Sequence, residues 1–178
     1  MEKGHIVKER GFTLVELLIV VAVIGVIAAI AVPSMMRARI SGNEANAIAS
    51  MRAINSAQAS YSSTAAGGAY ATALATLGAT CPSSSQPFIS ADLASDPAIK
   101  SGYRISVAAA TGAAPGPNDC NSTPTRAAYY STGVPLSPGV SGHRGLSSSA
   151  AGAIFYDTSG AAPTEATMAP GGGGLVIQ

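Results

Sequence analysis

The sequence predicts an α+β protein, in which one long N-terminal helix packs its outer half against a small antiparallel sheet. Two observations predict it. Between Glu16 and Arg37 lie twenty residues without a charge, LLIVVAVIGVIAAIAVPSMM. They make about 30 Å of helix, the thickness of a bilayer core. Over residues 65–178, a stretch of 114, only 23 are Leu, Ile, Val, Met, Phe or Tyr, against 16 Gly and 10 Pro. That composition suits short strands joined by turns.

The overall composition supports this asymmetry. The chain has 178 residues, 47% in the hydrophobic class, but 35 of them are alanine, which buries little surface. Charged residues make up 11%, less than half the usual quarter, which argues against a solvated disordered chain. Ten Lys/Arg against nine Asp/Glu leave a net charge of +1, which argues against a general nucleic-acid binder that needs a basic surface.

At the front, Lys3, Lys8 and Arg10 precede the apolar run, and Arg37, Arg39 and Arg52 follow it. The two sides balance, so charge does not set the orientation in a membrane. A cleavable secretory signal would find a small-x-small site at Ala29-Ile30-Ala31, but Glu16 fits such a signal poorly. A plain anchor leaves Glu16 unexplained as well, because an unpaired carboxylate in hydrocarbon costs a few kcal/mol or more. Pro33 removes a helical hydrogen bond and crowds the carbonyl of Ala29, which predicts a kink.

Gly11-Phe12-Thr13-Leu14-Val15-Glu16, followed by the apolar run, closely resembles the processing signal of type IV prepilins and of type II secretion pseudopilins. The resemblance covers residues 1 to about 40. It implies that a prepilin peptidase cuts between Gly11 and Phe12 on the cytoplasmic side and methylates the new amino group of Phe12. Glu16 then stands four residues after the new N-terminus, at the family's acidic assembly position. Gly25 and Pro33 fall where pilins also carry helix-weakening residues. The resemblance implies the pilin fold, with a leader at 1–11, a transmembrane and polymerisation helix at 12–36, an amphipathic helix at 37–64 and a globular head at 65–178. It also implies an inner-membrane protein with its head outside the cytoplasm. Its expected partners are the peptidase, other subunits, and an assembly platform with its ATPase.

Beyond the apolar run, Ile40, Ala47, Met51, Ile54 and Tyr61 recur at three- to seven-residue steps, a helical stripe that a domain can pack against. Arg39, Asn43, Asn46, Ser50 and Arg52 fall largely off it. Gly42 weakens the helix locally, and Gly67-Gly68 ends it. A helix from Phe12 to Ser63 would be roughly 78 Å long. In the head, residues 69–78 allow another helical turn or two. Tyr103, Ile105 and Val107 alternate with Arg104 and Ser106 as a half-buried strand. Residues 126–132, 153–156 and 175–177 are further strand candidates, the last as an edge, and 157–160 reads as a turn.

Cys81 and Cys120 are the only cysteines, and the topology that the resemblance implies puts both outside the cytoplasm. A disulfide closing about forty residues would contribute roughly 4 kcal/mol by the loop-entropy model; two buried free thiols are the alternative. Catalytic chemistry is not expected. His5 would leave with the leader, and His143 lies in Ser141-Gly142-His143-Arg144-Gly145, read as an exposed loop. The head acids Asp92, Asp96, Asp119, Asp157 and Glu165 form no paired motif, Asp92 and Asp96 reading as solvated or helix-capping groups. No metal or cofactor is expected. Asn121-Ser122-Thr123 fits a glycosylation sequon of the kind common by chance. Three functions stay in play. One is a structural subunit of a type IV pilus-like filament, with a type II secretion pseudopilin as its near alternative. The second is a minor tip pilin acting as a binding module. The third is a simple anchored envelope protein.

Overall fold

The computed structural model describes residues 11–177. Apart from Gly11, the expected leader, with His5, lies outside the described residues. Helix α1 runs Leu14–Thr64 and continues through Pro33. Contacts divide the chain between Ala38 and Arg39 into two compact units, the second holding the outer part of α1 and the head.

In the second unit, the buried face of α1 comprises Ile40, Glu44, Ala47, Met51, Ile54, Gln58 and Tyr61, with Ser50 and Ala57 beside it. These positions alternate steps of four and three, which keeps one face toward the core. Two of the buried polar residues, Ser50 and Gln58, find partners close by in the sequence. Ser50 donates to the Asn46 carbonyl at 2.9 Å. The Gln58 amide donates to the Ala71 carbonyl at 2.8 Å and accepts from the Ala71 N–H at 3.0 Å, standing in for a strand partner. Ser50, expected off the stripe, is thus buried, because its hydroxyl folds back onto the helix. The helix stops where Gly67 (φ 55°) and Gly68 (φ 94°) turn left-handed, a conformation open to glycine at little cost.

The sheet has six strands, all antiparallel, in the order β1 to β6. They are β1 (Ala98–Lys100), β2 (Tyr103–Ala109), β3 (Tyr129–Pro135), β4 (Gly145–Ser149), β5 (Ile154–Asp157) and β6 (Leu175–Ile177). Short helices lie between them and before them: α2 (Leu74–Gly78), a 3₁₀ turn (Ala91–Leu93) and α3 (Glu165–Met168). One face of the sheet presents Tyr103, Ile105, Tyr129 and Leu146 to Met51, Ile54 and Tyr61 of α1, closed at the side by Leu74, Leu77 and Leu93. This is the long helix on an antiparallel sheet that the sequence predicts.

Two local expectations need correction. The third strand starts at Tyr129, not Arg126, because Arg126 instead makes an isolated bridge with Tyr70. The segment around His143 is open only in part: His143 is exposed, but Gly142 is buried and Gly145 begins β4. Strand β4, Gly-Leu-Ser-Ser-Ser, lacks the alternation that marks a half-buried strand because both its faces are covered. On one side the Ser147 hydroxyl donates to Met168 Sδ at 3.0 Å. On the other, Ser148 bonds Asn55 Oδ1 of α1 at 3.0 Å.

Candidate functional site

The N-terminal segment is built around a single acid. Gly11 and Phe12 are exposed and lie outside regular structure, just ahead of α1. Thr13 occupies the N-cap position. Its backbone N–H donates to Glu16 Oε2 at 2.9 Å and its hydroxyl donates to the same oxygen at 2.6 Å. In return the Glu16 N–H donates to Thr13 Oγ1 at 3.2 Å. This is a capping box, in which residues three apart satisfy each other's open helix-end groups. The Thr-x-x-Glu spacing announces it, although reading Glu16 for assembly alone overlooks the local partner. The box places a polar group of the apolar segment against backbone and hydroxyl donors at the helix start.

Behind it, the large apolar side chains stand clear of their own unit, from Phe12 at 79% exposed to Val20 at 47%. Among the described residues, α1 is the helix long and apolar enough to cross a membrane, and its most apolar window is not buried. So continuous an apolar surface is stable only in lipid or against other helices. At Gly25 an added Cβ would meet nothing within 4 Å. Four residues after Pro33, the Arg37 Nε reaches back to the Pro33 carbonyl at 3.5 Å.

The model of the prokaryotic N-terminal methylation motif matches residues 6–32, the span that holds Gly11, Phe12, Thr13 and Glu16. This N-terminal segment thus carries the motif by which prokaryotic N-terminal methylation is recognised, and it is similar to the start of type IV pilins and pseudopilins. Over 54 residues the chain is also 43% identical to the type IV major pilin protein PilA of Myxococcus xanthus (strain DK1622). The aligned stretch is 30% of this chain and 24% of that protein, so the chain spans about a quarter of the length of the curated relative it matches. No solved structure matches the chain significantly.

The pilin-type segment leads into a head held to α1 by polar tethers at both ends of the helical stripe. Glu44, buried on α1, accepts from the backbone N–H of His143 at 2.7 Å and of Arg144 at 3.2 Å. The Arg144 side chain also donates to Glu44 Oε2, through Nε at 2.8 Å and Nη2 at 2.8 Å. Burial alone would raise the Glu44 pKa, but these bonds and the guanidinium charge outweigh it and hold the carboxyl below its usual range. Arg144 also stacks 5.4 Å from the centre of the Tyr156 ring. Asn43 Nδ2 donates to the Ser141 carbonyl at 3.0 Å beside it. Burial, then the Glu44 charge, pushes the Tyr103 hydroxyl up to about 12. Glu44 is the residue that sequence reasoning missed; its place in the four-three spacing of the stripe was the available signal.

At the far end of α1, Tyr61 donates to Asp119 Oδ2 at 2.7 Å. Asp119 Oδ1 accepts from the Asn121 and Thr123 N–H groups at 2.8 and 2.6 Å. Cys81 and Cys120 form a disulfide with Cα atoms 5.5 Å apart, and the Cys120 N–H donates to the Ala65 carbonyl at 3.0 Å. Asp96 accepts from the Leu74 N–H at 2.9 Å, at the start of α2, and Asp92 pairs with Lys100 at 2.6 Å. The sequon residue Asn121 is exposed in a turn, its side-chain amide donating to the Thr80 carbonyl at 3.2 Å. His143 is exposed. Among the described residues no group of three His, Cys, Asp or Glu side chains could hold a metal.

Proposed function

We propose that this chain is the structural subunit of a type IV pilus-like filament. Prepilin peptidase cuts between Gly11 and Phe12 and methylates the Phe12 amine. The apolar helix then holds the subunit in the inner membrane, with the head outside the cytoplasm, until an ATPase-driven platform extracts it. Subunits pack through the apolar helix, where Glu16 pairs with the new amine of a neighbour and sets the axial register. Gly25 and Pro33 allow local unwinding as helices pack. The observation that carries this reading is the methylation motif lying on a helix whose large apolar side chains are exposed within their own unit. A type IV major pilin matched over 54 residues is in keeping with a pilus-like subunit, and a type II secretion pseudopilin stays the alternative.

Mass spectrometry of the mature N-terminus tests the processing step. Methyl-Phe12 is the expected species, and an intact Met1 would refute it. Glu16→Ala tests assembly: the variant should insert in the membrane and fail to polymerise. Normal filaments from it would remove Glu16 from the assembly role.

A further inference from the structure

We propose that the turn between β3 and β4, with Leu136 and Val140 at its tip, seats on the surface of the lipid bilayer while the subunit is held in the membrane. The inference rests on the membrane-anchored reading above and adds a second contact with lipid, made by the head.

The loops at the two ends of the sheet differ in what they expose. At one end, residues 109–128 and 150–153 contain no Leu, Ile, Val, Met, Phe or Tyr. At the other, Leu136-Ser137-Pro138-Gly139-Val140 is exposed throughout, Leu136 at 44% and Val140 at 63%. No charge occurs from Leu136 to Gly142. A single exposed apolar side chain is ordinary on a protein surface. Two of them on one uncharged turn, with a proline between, make an apolar tip.

The turn is also closed on itself. The Leu136 N–H donates to the Gly102 carbonyl at 2.9 Å, and the Ser137 N–H to Ser141 Oγ at 3.0 Å. The Gly139 N–H donates to the Gly142 carbonyl at 2.8 Å. The Val140 and Ser141 N–H groups both donate to the Ser137 carbonyl, at 3.0 and 2.9 Å. Pro138 has no N–H, so every backbone donor from Leu136 to Ser141 is satisfied. Such a turn can enter a region poor in water without carrying an unpaired donor into it. With neither charge nor free donor it offers a protein partner little to recognise, whereas lipid requires only apolar surface.

Its place follows from α1. Strand β3 runs back along the helix: Tyr129 donates to Asn55 Oδ1 at 2.9 Å, and a Cβ at Gly133 would come 3.6 Å from Met51 Sδ. Past the tip, the Ser141 carbonyl is held by Asn43, and the His143 N–H by Glu44. The tip therefore lies at the end of the head where its hold on α1 begins. Asn43 follows Met36, the last residue of the uncharged run, by seven positions, about 10 Å of helix. The headgroup layer is itself roughly 5–8 Å thick, and apolar surface that lies on a membrane sinks about 5–10 Å into it. The tether thus keeps the tip within reach of lipid.

The test uses the full chain, its disulfide intact, reconstituted at high dilution in vesicles of phosphatidylethanolamine and phosphatidylglycerol. An environment-sensitive fluorophore is placed at Val140→Cys, at Leu136→Cys and, at the opposite end of the sheet, at Ala150→Cys. Brominated lipid should quench both tip probes at least about threefold more than the Ala150 probe, with a blue-shifted emission. Adding Val140→Asp to the Leu136 probe should remove most of that excess. Quenching at both tip sites no greater than at Ala150, in chains that stay membrane-bound, would overturn the contact. Tip probes that shift to the blue yet ignore brominated lipid would overturn it too, assigning the turn to a protein neighbour. Failure of the anchored reading looks different: the chain would leave the vesicles in alkaline carbonate.

Discussion

Replacing Glu44 with Ala should destabilise the head more than any other single change at a charged position. The substitution removes the acceptor of two backbone N–H bonds and two guanidinium bonds. Breaking a fully buried pair costs about 3–5 kcal/mol. The Glu44 side chain is 9% exposed but that of Arg144 is 37% exposed, so solvent recovers part of the loss and about 2–3 kcal/mol is expected. For a unit of this size that lowers Tm by roughly 6–9 °C. Near-ultraviolet circular dichroism of the full chain in detergent would read the transition. Glu44→Gln keeps the shape and acceptor but loses the charge, and should cost about half as much. The sign of the pH effect follows from the depressed carboxyl pKa. The contribution is present above the unfolded-state value and is lost as pH falls through the folded one, so the gap between the parent chain and Glu44→Gln should narrow as the pH is taken down through and below the usual carboxylate range. A Glu44→Ala drop under about 1 °C, or a gap that widens in acid, would refute the role assigned to this pair.

Reducing the Cys81–Cys120 bond, or replacing both cysteines with serine, should cost the head about 4 kcal/mol, seen as a lower denaturant midpoint. Thr13→Ala removes the hydroxyl half of the capping box and about 1 kcal/mol with it; hydrogen exchange at the Glu16 and Leu17 amides, which bond to Thr13, should speed up about fivefold in micelles. Gly142→Ala would drive a methyl group into the ring and hydroxyl of Tyr103. It should cost roughly 3 kcal/mol or more, whereas Gly139→Ser, where an added Cβ meets nothing within 4 Å but φ is 81°, should cost only about 1 kcal/mol of backbone strain. Paired thermal melts of the two variants decide between those sizes.

How much of this was legible depended on whether a signal was periodic. The apolar run, the stripe from Ile40 to Tyr61 and the alternation at Tyr103, Ile105 and Val107 all lie in regular elements. Their side chains meet one environment on each face, and that writes the pattern. Strand β4 was illegible because Ser147 and Ser148 are both buried, each through a hydrogen bond made far along the chain. Glu44 was missed for the same reason. An acid on an apolar stripe is unremarkable until Arg144, a hundred residues on, is brought to it. Glu16 was legible as an oddity because it is an acid set against an uncharged apolar run, although its partner Thr13, only three residues away, was overlooked.

The contrast between those two acids carries a consequence for assembly. Glu44 is tied by long-range bonds that form only when the head folds, so it contributes to one state alone. Glu16 draws its bonds from Thr13, which are local and available to an isolated subunit. On the proposed reading, the capping box lowers the cost of holding a carboxylate in the membrane while the subunit waits. Both of those bonds go to Oε2, and Oε1 takes part in neither. A neighbour's amine can therefore approach Oε1 without first breaking the box. Storage and assembly then draw on different oxygens of one side chain, and Thr13→Ala should weaken storage in the membrane while leaving the pairing atom in place.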